Sequence, residues 1–222
     1  PSLSACTVST CESVERTLDW FLRQHARDHE VGLHAWDHHR WQLGADRLGD
    51  EAMNAELERA IEAFQEVYKR EPETAAAPGW RFDERLLALP ASRQFAWRSD
   101  ARGEAAPFLP MLAGLPLPQP QVPVDLPTYD EAVGRGPDAD ERWNARLLSR
   151  LADGRPHVLT IHAESEGGAK ADLFDRFLDA ALAMGHRFKP LGEWMRSMPE
   201  PGPGRIERGG VAGREGWLCV RG

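Results

Sequence analysis

Long apolar runs, basic charge and cysteine are all scarce in this sequence, and each scarcity excludes a class of protein. No stretch of about 18 apolar residues occurs, so we expect no membrane-spanning helix. The 27 lysines and arginines are outnumbered by 35 aspartates and glutamates, and the net charge of −8 argues against a nucleic-acid partner bound through broad electrostatics. The three cysteines, Cys6, Cys11 and Cys219, are scattered, which indicates a reducing compartment. Residues 1–8 lack a basic start and a long apolar stretch, so we expect no signal peptide.

What the chain does contain is a regular alternation of strand and helix patterns. Of its 222 residues, 41% are hydrophobic and 28% charged, which is typical of a globular protein. Apolar periodicity predicts strands at 30–35, 74–80, 93–100, 121–127, 157–164 and 187–191. It predicts helices at 12–28, 47–72 (with Asp50 as N-cap), 143–151, 173–182 and 192–198, a long loop at 103–120 and a glycine-rich tail at 208–220. This order predicts an α/β fold, a parallel sheet or barrel with helices outside.

Histidine is concentrated in the stretch EVGLHAWDHHRW, which holds His34, His38 and His39, three of the chain's eight histidines. If the chain turns helically after the strand, His34 and His38 point the same way, as two adjacent metal ligands. Neutral imidazole suits zinc, cobalt or manganese, and a hydrolytic zinc has three protein ligands and a water, so we expect a third ligand, most simply a carboxylate. His39 would point elsewhere on the helix. The alternative is a polar surface helix with incidental histidines.

Polar residues also follow the predicted strands. They are His34, Trp80, Asp100, Asp125 and His162. In α/β barrels the carboxyl ends of the strands form the rim that carries the chemistry, so residues far apart in sequence are expected to meet there. Asp37, between the histidines, either accepts a hydrogen bond from a ligand histidine or is simply solvated.

Six motifs occur in order: HEVGLHAWDHHRWQ, AAPGWR, SDARGEAAPF, VPVDLPTYDE, LTIHAESEG and GGVAGREGWL. Together they resemble the NodB-type polysaccharide deacetylase family, and within it the ArnD branch, the 4-deoxy-4-formamido-L-arabinose-phosphoundecaprenol deformylases. The resemblance covers residues 29–222, which we interpret as a NodB-like deacetylase/deformylase domain. Residues 1–28 form an N-terminal segment that matches the family poorly.

The resemblance implies a distorted (β/α) barrel of the NodB polysaccharide deacetylase type and one divalent metal ion, zinc with cobalt or manganese as alternatives. An Asp-His-His triad would hold this ion, an aspartate would act as general base and a histidine as general acid. By position, His34 and His38 match the metal histidines and His162 matches the acid. The residues that we consider substrate-binding or supporting are Asp37, Trp80, Arg81, Asp100, Arg102, Glu164 and Arg214. Of these, Arg81, Asp100 and Arg102 are the ones that the resemblance implies as pocket residues. Arg102, Arg208 and Arg214 are candidates to bind a substrate phosphate; alternatively Arg214 forms a surface pair with Glu215.

The chain departs from the family at its start. The family carries a pair of aspartates on an early strand, one the base and the other the third ligand. Asp19 and Asp28 do not end an apolar strand, and the only D-x-D, Asp138 and Asp140, lies in a polar segment. We therefore expect the barrel to lack its first strand-helix units, together with the base and one metal ligand.

The activity implied is metal-dependent hydrolysis of the N-formyl amide of an undecaprenyl-phosphate-linked 4-formamido-arabinose. This step releases formate and a free amine and belongs to lipid A modification and polymyxin resistance. The implied partners are the lipid-linked aminosugar and, through its lipid, the membrane surface, so the protein would be cytoplasmic and peripheral to the inner membrane. Two alternatives stay open: a NodB-type polysaccharide N-deacetylase, and a non-catalytic truncated chain with a partial metal site.

Overall fold

A computed structural model describes residues 29–132 and 139–222. Its helices are α1 (His38–Gly44), α2 (Asp50–Tyr68), α3 (Glu84–Leu87), α4 (Ala139–Leu151), α5 (Ala171–Ala183) and α6 (Leu191–Ser197). Its strands are β1 (Thr74–Ala75), β2 (Trp97–Arg98), β3 (Leu109–Leu112), β4 (Leu115–Pro116), β5 (Pro203–Gly204), β6 (Ile206–Gly209) and β7 (Leu218–Arg221). The helix predicted at 12–28 lies outside the described residues, and the domain boundary after residue 28 stays a prediction.

Helix α2 follows the apolar periodicity of its sequence, as predicted. Its buried face includes Met53, Leu57, Ile61, Phe64 and Tyr68. The N-cap is Gly49, so the assignment of Asp50 was wrong by one position. Asp50 and Glu51 lie instead in the first turn, where carboxylates interact favourably with the positive end of the helix dipole. Lys69 ends the helix in the left-handed conformation.

Parallel pairing brings together segments that are far apart in sequence. Leu33 bridges Ala75, β1 pairs with β2, and Arg98 of β2 bridges Gln121, each in parallel. The amide of Leu33 donates to the carbonyl of Thr74 at 2.8 Å. These segments stand side by side in chain order, with helices in the first two connections and the β3–β4 segment in the third. Parallel neighbours in chain order are the arrangement of consecutive strands in an α/β barrel. The predicted fold class is confirmed.

The segment 157–164, predicted as the strongest strand, forms no ladder with any described strand. One side of it contacts the preceding segment: the amide of Leu126 donates to the carbonyl of Val158 at 3.2 Å, and the amide of Val158 donates to the carboxylate of Asp125 at 2.8 Å. Among the described residues, no strand lies along its other side. The apolar segment therefore lacks the ladder pairing that would make it a strand.

Three further assignments need correction. Within the predicted loop at 103–120, β3 and β4 form an antiparallel hairpin that turns at Ala113 and Gly114, both at positive φ. The tail at 208–220 contributes to a second antiparallel hairpin, β6 with β7. The segment 187–191 is not a strand; it leads into α6. Proline in β3, β4 and β5 hid these short strands, because proline is expected only at sheet edges and bulges.

Candidate active site

A cleft of about 1530 Å³ opens where the parallel segments end. Its polar part contains His34, His38, His162, Asp130 and Arg214. Its apolar wall is formed mainly by Leu159, Ile161, Phe174, Phe177, Leu178 and Phe188. The fold therefore brings three of the five predicted rim residues, His34, Trp80 and His162, into one cavity, whereas Asp100 and Asp125 do not line it.

His34 and His38 lie next to each other, with ring centroids 5.1 Å apart. His34 ends the extended segment that bridges β1, and Ala35 at φ 60° turns the chain before α1 begins at His38. The helical turn therefore starts later than the sequence suggested, yet the two rings still meet. Asp37 is the N-cap of α1, and its carboxylate accepts from the amide of Arg40 at 2.9 Å.

The electrostatics of the pair favour neutral imidazole. Burial, reinforced by the neighbouring charges of His38 and His162, lowers the pKa of His34 to about 4, against the opposing effect of the Ala76 carbonyl. Burial and then the charge of His162 lower the pKa of His38 as well. Only an unprotonated imidazole nitrogen can bind a metal ion, so both rings are in the form that a metal site requires.

The tautomer of His34 follows from its hydrogen bond. Its Nδ1 lies 2.7 Å from the carbonyl oxygen of Ala76. A carbonyl can only accept, so Nδ1 carries the proton and Nε2 has the free lone pair. A backbone carbonyl behind a histidine is the usual support of a metal ligand. His34 and His38 therefore fit two positions of a zinc-type donor set.

A complete donor set is not found within residues 29–132 and 139–222. There, no group of three or more histidine, cysteine, aspartate or glutamate side chains is placed to hold a metal ion. Of the D-x-D in the polar segment, which is not expected to be the family's aspartate pair, Asp140 is on α4, where it accepts from the Tyr129 hydroxyl at 2.6 Å and the Lys170 ammonium at 2.7 Å. Asp138 lies outside the described residues.

His162 faces the same cleft from the other side. Its side chain is 43% exposed, and its Nδ1 lies 3.8 Å from Oδ1 of Asp130. Its backbone amide donates to the buried carboxylate of Glu166 at 2.9 Å, which fixes the start of the turn that follows. Glu164, two residues on, also lines the cleft. The backbone of His162 is thus anchored, and its ring is accessible from the cleft.

Asp100 is buried and supports the rim. Its carboxylate accepts from the amide of Ala77 at 2.8 Å, from Nε of Arg98 at 2.5 Å and from the Gln121 amide group at 2.8 Å. These bonds join three neighbouring segments of the barrel. Asp100 therefore positions the strand ends, a role for which its full burial is suited.

Arg102 is buried beneath the site. It donates to both carboxylate oxygens of Glu131 and to the backbone carbonyls of Val124 and Leu126. Its guanidinium lies 4.7 Å from the ring of Trp80. Trp80 is itself buried, and its backbone adopts a φ of 55°. Because the N–H donors of Arg102 are occupied by these buried acceptors, they are not directed towards a phosphate group that binds in the cleft.

Two other predicted residues serve the C-terminal hairpin. Arg81 donates to the carbonyl of Glu215 at 3.2 Å and lies 5.2 Å from the ring of Trp217. Arg208 covers the same ring at 4.2 Å and pairs with Asp83 at 2.5 Å. Neither arginine lines the cleft. Both therefore hold the hairpin against the barrel.

Sequence reasoning missed Asp130 and Glu131. Glu131 is buried and accepts from both Arg102 and Arg214, while Asp130 pairs with Arg214 at 2.8 Å. A signal was present, because Thr128 followed by Glu131 is the spacing of a capping box, and the structure contains that capping box.

Comparisons with known proteins agree with this arrangement. The profile of the family described as polysaccharide deacetylase matches residues 5–95. A probable polysaccharide deacetylase from Pseudomonas aeruginosa PAO1 shares the fold, with a TM-score of 0.60 at 16% identity over 83% of this chain and 66% of that chain. The fold and the matching profile thus define a protein of the polysaccharide deacetylase type.

The sequence relatives are more specific. Over 191 residues the chain is 34% identical to the probable 4-deoxy-4-formamido-L-arabinose-phosphoundecaprenol deformylase ArnD of Shewanella sediminis, covering 86% of this chain and 61% of the relative. Over 203 residues it is 31% identical to the protein of the same name from Wigglesworthia glossinidia brevipalpis, covering 90% and 70%. The chain belongs to the NodB-type polysaccharide deacetylase family, in its ArnD branch. It spans less than two thirds of the length of the Shewanella relative.

Proposed function

We propose that this protein hydrolyses the N-formyl amide of an aminosugar and releases formate and a free amine. The observation that carries the proposal is the pair of neutral imidazoles, His34 and His38, 5.1 Å apart at the end of a barrel segment, with His162 in the same cleft. The names of the two relatives support the formyl group as the target.

The proposal includes one divalent metal ion, zinc with cobalt or manganese as alternatives, held by His34 and His38. When bound, such an ion polarises the formyl oxygen and lowers the pKa of a water molecule. His34 would bind through Nε2, because its Nδ1 donates to Ala76. The third ligand and the general base, both expected to be aspartates, would have to come from outside the described ranges.

His162 is proposed to donate a proton to the departing nitrogen. An amine leaves poorly as an anion, so a proton must reach the nitrogen as the carbon–nitrogen bond breaks. A histidine is suited to this role near neutral pH, and the ring of His162 is accessible from the cleft. After burial, the charge of His162 is the next cause that lowers the pKa of His38, which is consistent with a shared reaction centre.

The proposed substrate is the formamido-arabinose linked to undecaprenyl phosphate, and the product would serve lipid A modification and polymyxin resistance. The long apolar wall of the cleft, which includes Phe174, Phe177 and Phe188, is consistent with a lipid-bearing molecule. Of the three arginines considered for the phosphate, only Arg214 lines the cleft. No helix of the described part of the chain is long and apolar enough to cross a membrane. We propose that the substrate lipid brings the protein to the cytoplasmic face of the inner membrane.

Two alternatives have specific support. The family profile is described as polysaccharide deacetylase, which favours an N-acetylated polymer as substrate. The incomplete donor set among the described residues favours a chain that binds ligand without turnover.

The test compares matched N-formyl and N-acetyl derivatives of a 4-amino-arabinose phospholipid, incubated with the zinc- or cobalt-loaded protein. We expect release of formate, lost in His162→Ala and kept in His39→Ala, which removes an exposed histidine that does not line the cleft. Preferential release of acetate would favour the polymer deacetylase. Release of neither product by folded, metal-loaded protein would favour the non-catalytic alternative.

A further inference from the structure

Asp130 is held in place opposite His162 by contacts on both of its carboxylate oxygens. The hydroxyl of Thr128 donates to Oδ1, and Nη2 of Arg214 donates to Oδ2 at 2.8 Å. Asp130 also lies in the turn Tyr129–Glu131, which the capping box of Thr128 and Glu131 closes. A carboxylate with this many fixed contacts has little freedom to move, so its position relative to His162 is set by the fold.

Arg214 is itself immobilised. Its Nε donates to Glu131 at 2.9 Å, and its guanidinium lies 4.6 Å from the ring of Trp80. Arg102 lies 4.7 Å from the same ring and also donates to Glu131. Trp80 adopts φ 55°, a conformation that a bulky residue takes only where its surroundings hold it. A continuous series of contacts therefore links Trp80, Arg214 and Asp130.

From this geometry we infer that Asp130 is the positioning residue of His162. Its Oδ1 is 3.8 Å from Nδ1, about 1 Å longer than a hydrogen bond, and both side chains are nearly half exposed. Such bonds in substrate-free sites are often long and shorten when the substrate binds. A carboxylate that accepts from Nδ1–H leaves Nε2 as the atom that exchanges protons, the same logic by which an aspartate orients the histidine of a Ser-His-Asp triad.

The other charged groups around His162 do not supply this function. His34 and His38 interact unfavourably with a protonated His162. Glu166 accepts from the backbone amide of His162, not from its ring. Glu164 lines the same cleft, so it is varied as a comparison. The inference about proton exchange rests on the proposed function, but the position and tautomer of the ring can be measured without it.

The experiment is ¹⁵N NMR of the His162 ring at about pH 8 in the wild type and in Asp130→Asn, Asp130→Glu, Glu164→Gln and Asp175→Asn. We expect the Nδ1–H tautomer to predominate in the wild type and Nε2–H to gain in Asp130→Asn. Asp130→Glu should restore the wild-type signal at least in part. Asp175→Asn removes an equal charge from the exposed face of α5 and should change nothing. An unchanged tautomer in folded Asp130→Asn, or the same change in Glu164→Gln, would overturn the inference.

A kinetic measurement on active protein gives a second readout. Asp130→Asn should lower kcat about tenfold to a hundredfold with little change in KM, because the variant misorients the proton donor and leaves the sugar contacts intact. A rise in KM with unchanged kcat would show that Asp130 binds substrate instead. Because the NMR result does not depend on turnover, failure of the proposed function and failure of this inference give different results.

Discussion

Because the pKa of His34 is low in the folded protein, we expect this single side chain to lower the free energy of unfolding in acid. Burial keeps this ring neutral in the folded state down to about pH 4, whereas the same ring takes up a proton near its ordinary pKa of 6.5 when the chain is unfolded. The substitution His34→Gln removes the titration. It also keeps an N–H that can donate to the carbonyl of Ala76.

The sign and size of the effect follow from proton linkage. Above pH 6.5 neither state binds the proton, so His34 adds no pH dependence. Between pH 6.5 and about 4 the unfolded state binds more protons, so the free energy of unfolding falls as the pH falls, and below about 4 the loss is complete. The full difference in pKa corresponds to about 3 kcal/mol, which we reduce to about 2 kcal/mol because the ring is partly exposed to solvent.

The pH dependence of the free energy of unfolding can be measured by urea denaturation. The metal-free wild type and His34→Gln are compared at several pH values between 4 and 7. The stability of the wild type relative to the variant should decline by about 2 kcal/mol over that range. The control His39→Gln, on the exposed side of α1, should parallel the wild type. A wild-type-minus-variant difference that stays constant with pH would refute the reasoning, because it would mean that His34 titrates alike in both states.

Three further predictions concern the site and its support. His34→Ala should lose zinc binding and activity together, measured by competitive titration with a chromogenic chelator; native zinc affinity in this variant would contradict the metal assignment. His162→Ala should keep bound metal, measured by the same titration, while turnover is lost; loss of the metal would contradict its role as proton donor. Arg98→Met should lower the free energy of unfolding by about 3–5 kcal/mol, because it leaves the buried Asp100 without its ionic partner. Denaturation at pH 7 checks this, and a loss under about 1 kcal/mol would show that the pair contributes little.

The local sequence pattern predicted correctly those helices whose structure depends on residues within the helix and just beyond its end. The apolar stripe of α2, the helix ended by Gly154 and the helix ended by Gly185 are all present, because periodic apolar residues and left-handed glycines act within a few residues of chain. The same approach failed at 103–120 and 157–164. Pairing there depends on which distant segment lies alongside, and short proline-containing strands carry no periodic signal.

The sequence by itself determined the family, the positions of the long helices, and the histidines that meet in the cleft. It could do so because the motifs occur in order along the chain, His34 and His162 each follow an apolar stretch, and His38 lies four residues beyond His34. Only the tertiary structure decided what each polar residue does there. In the folded protein Arg102 donates to the buried Glu131, and Oδ1 of Asp130 lies 3.8 Å from Nδ1 of His162. The physical reason is that hydrogen bonds between side chains depend on distances of a few ångströms across separate elements, which no spacing along the chain encodes.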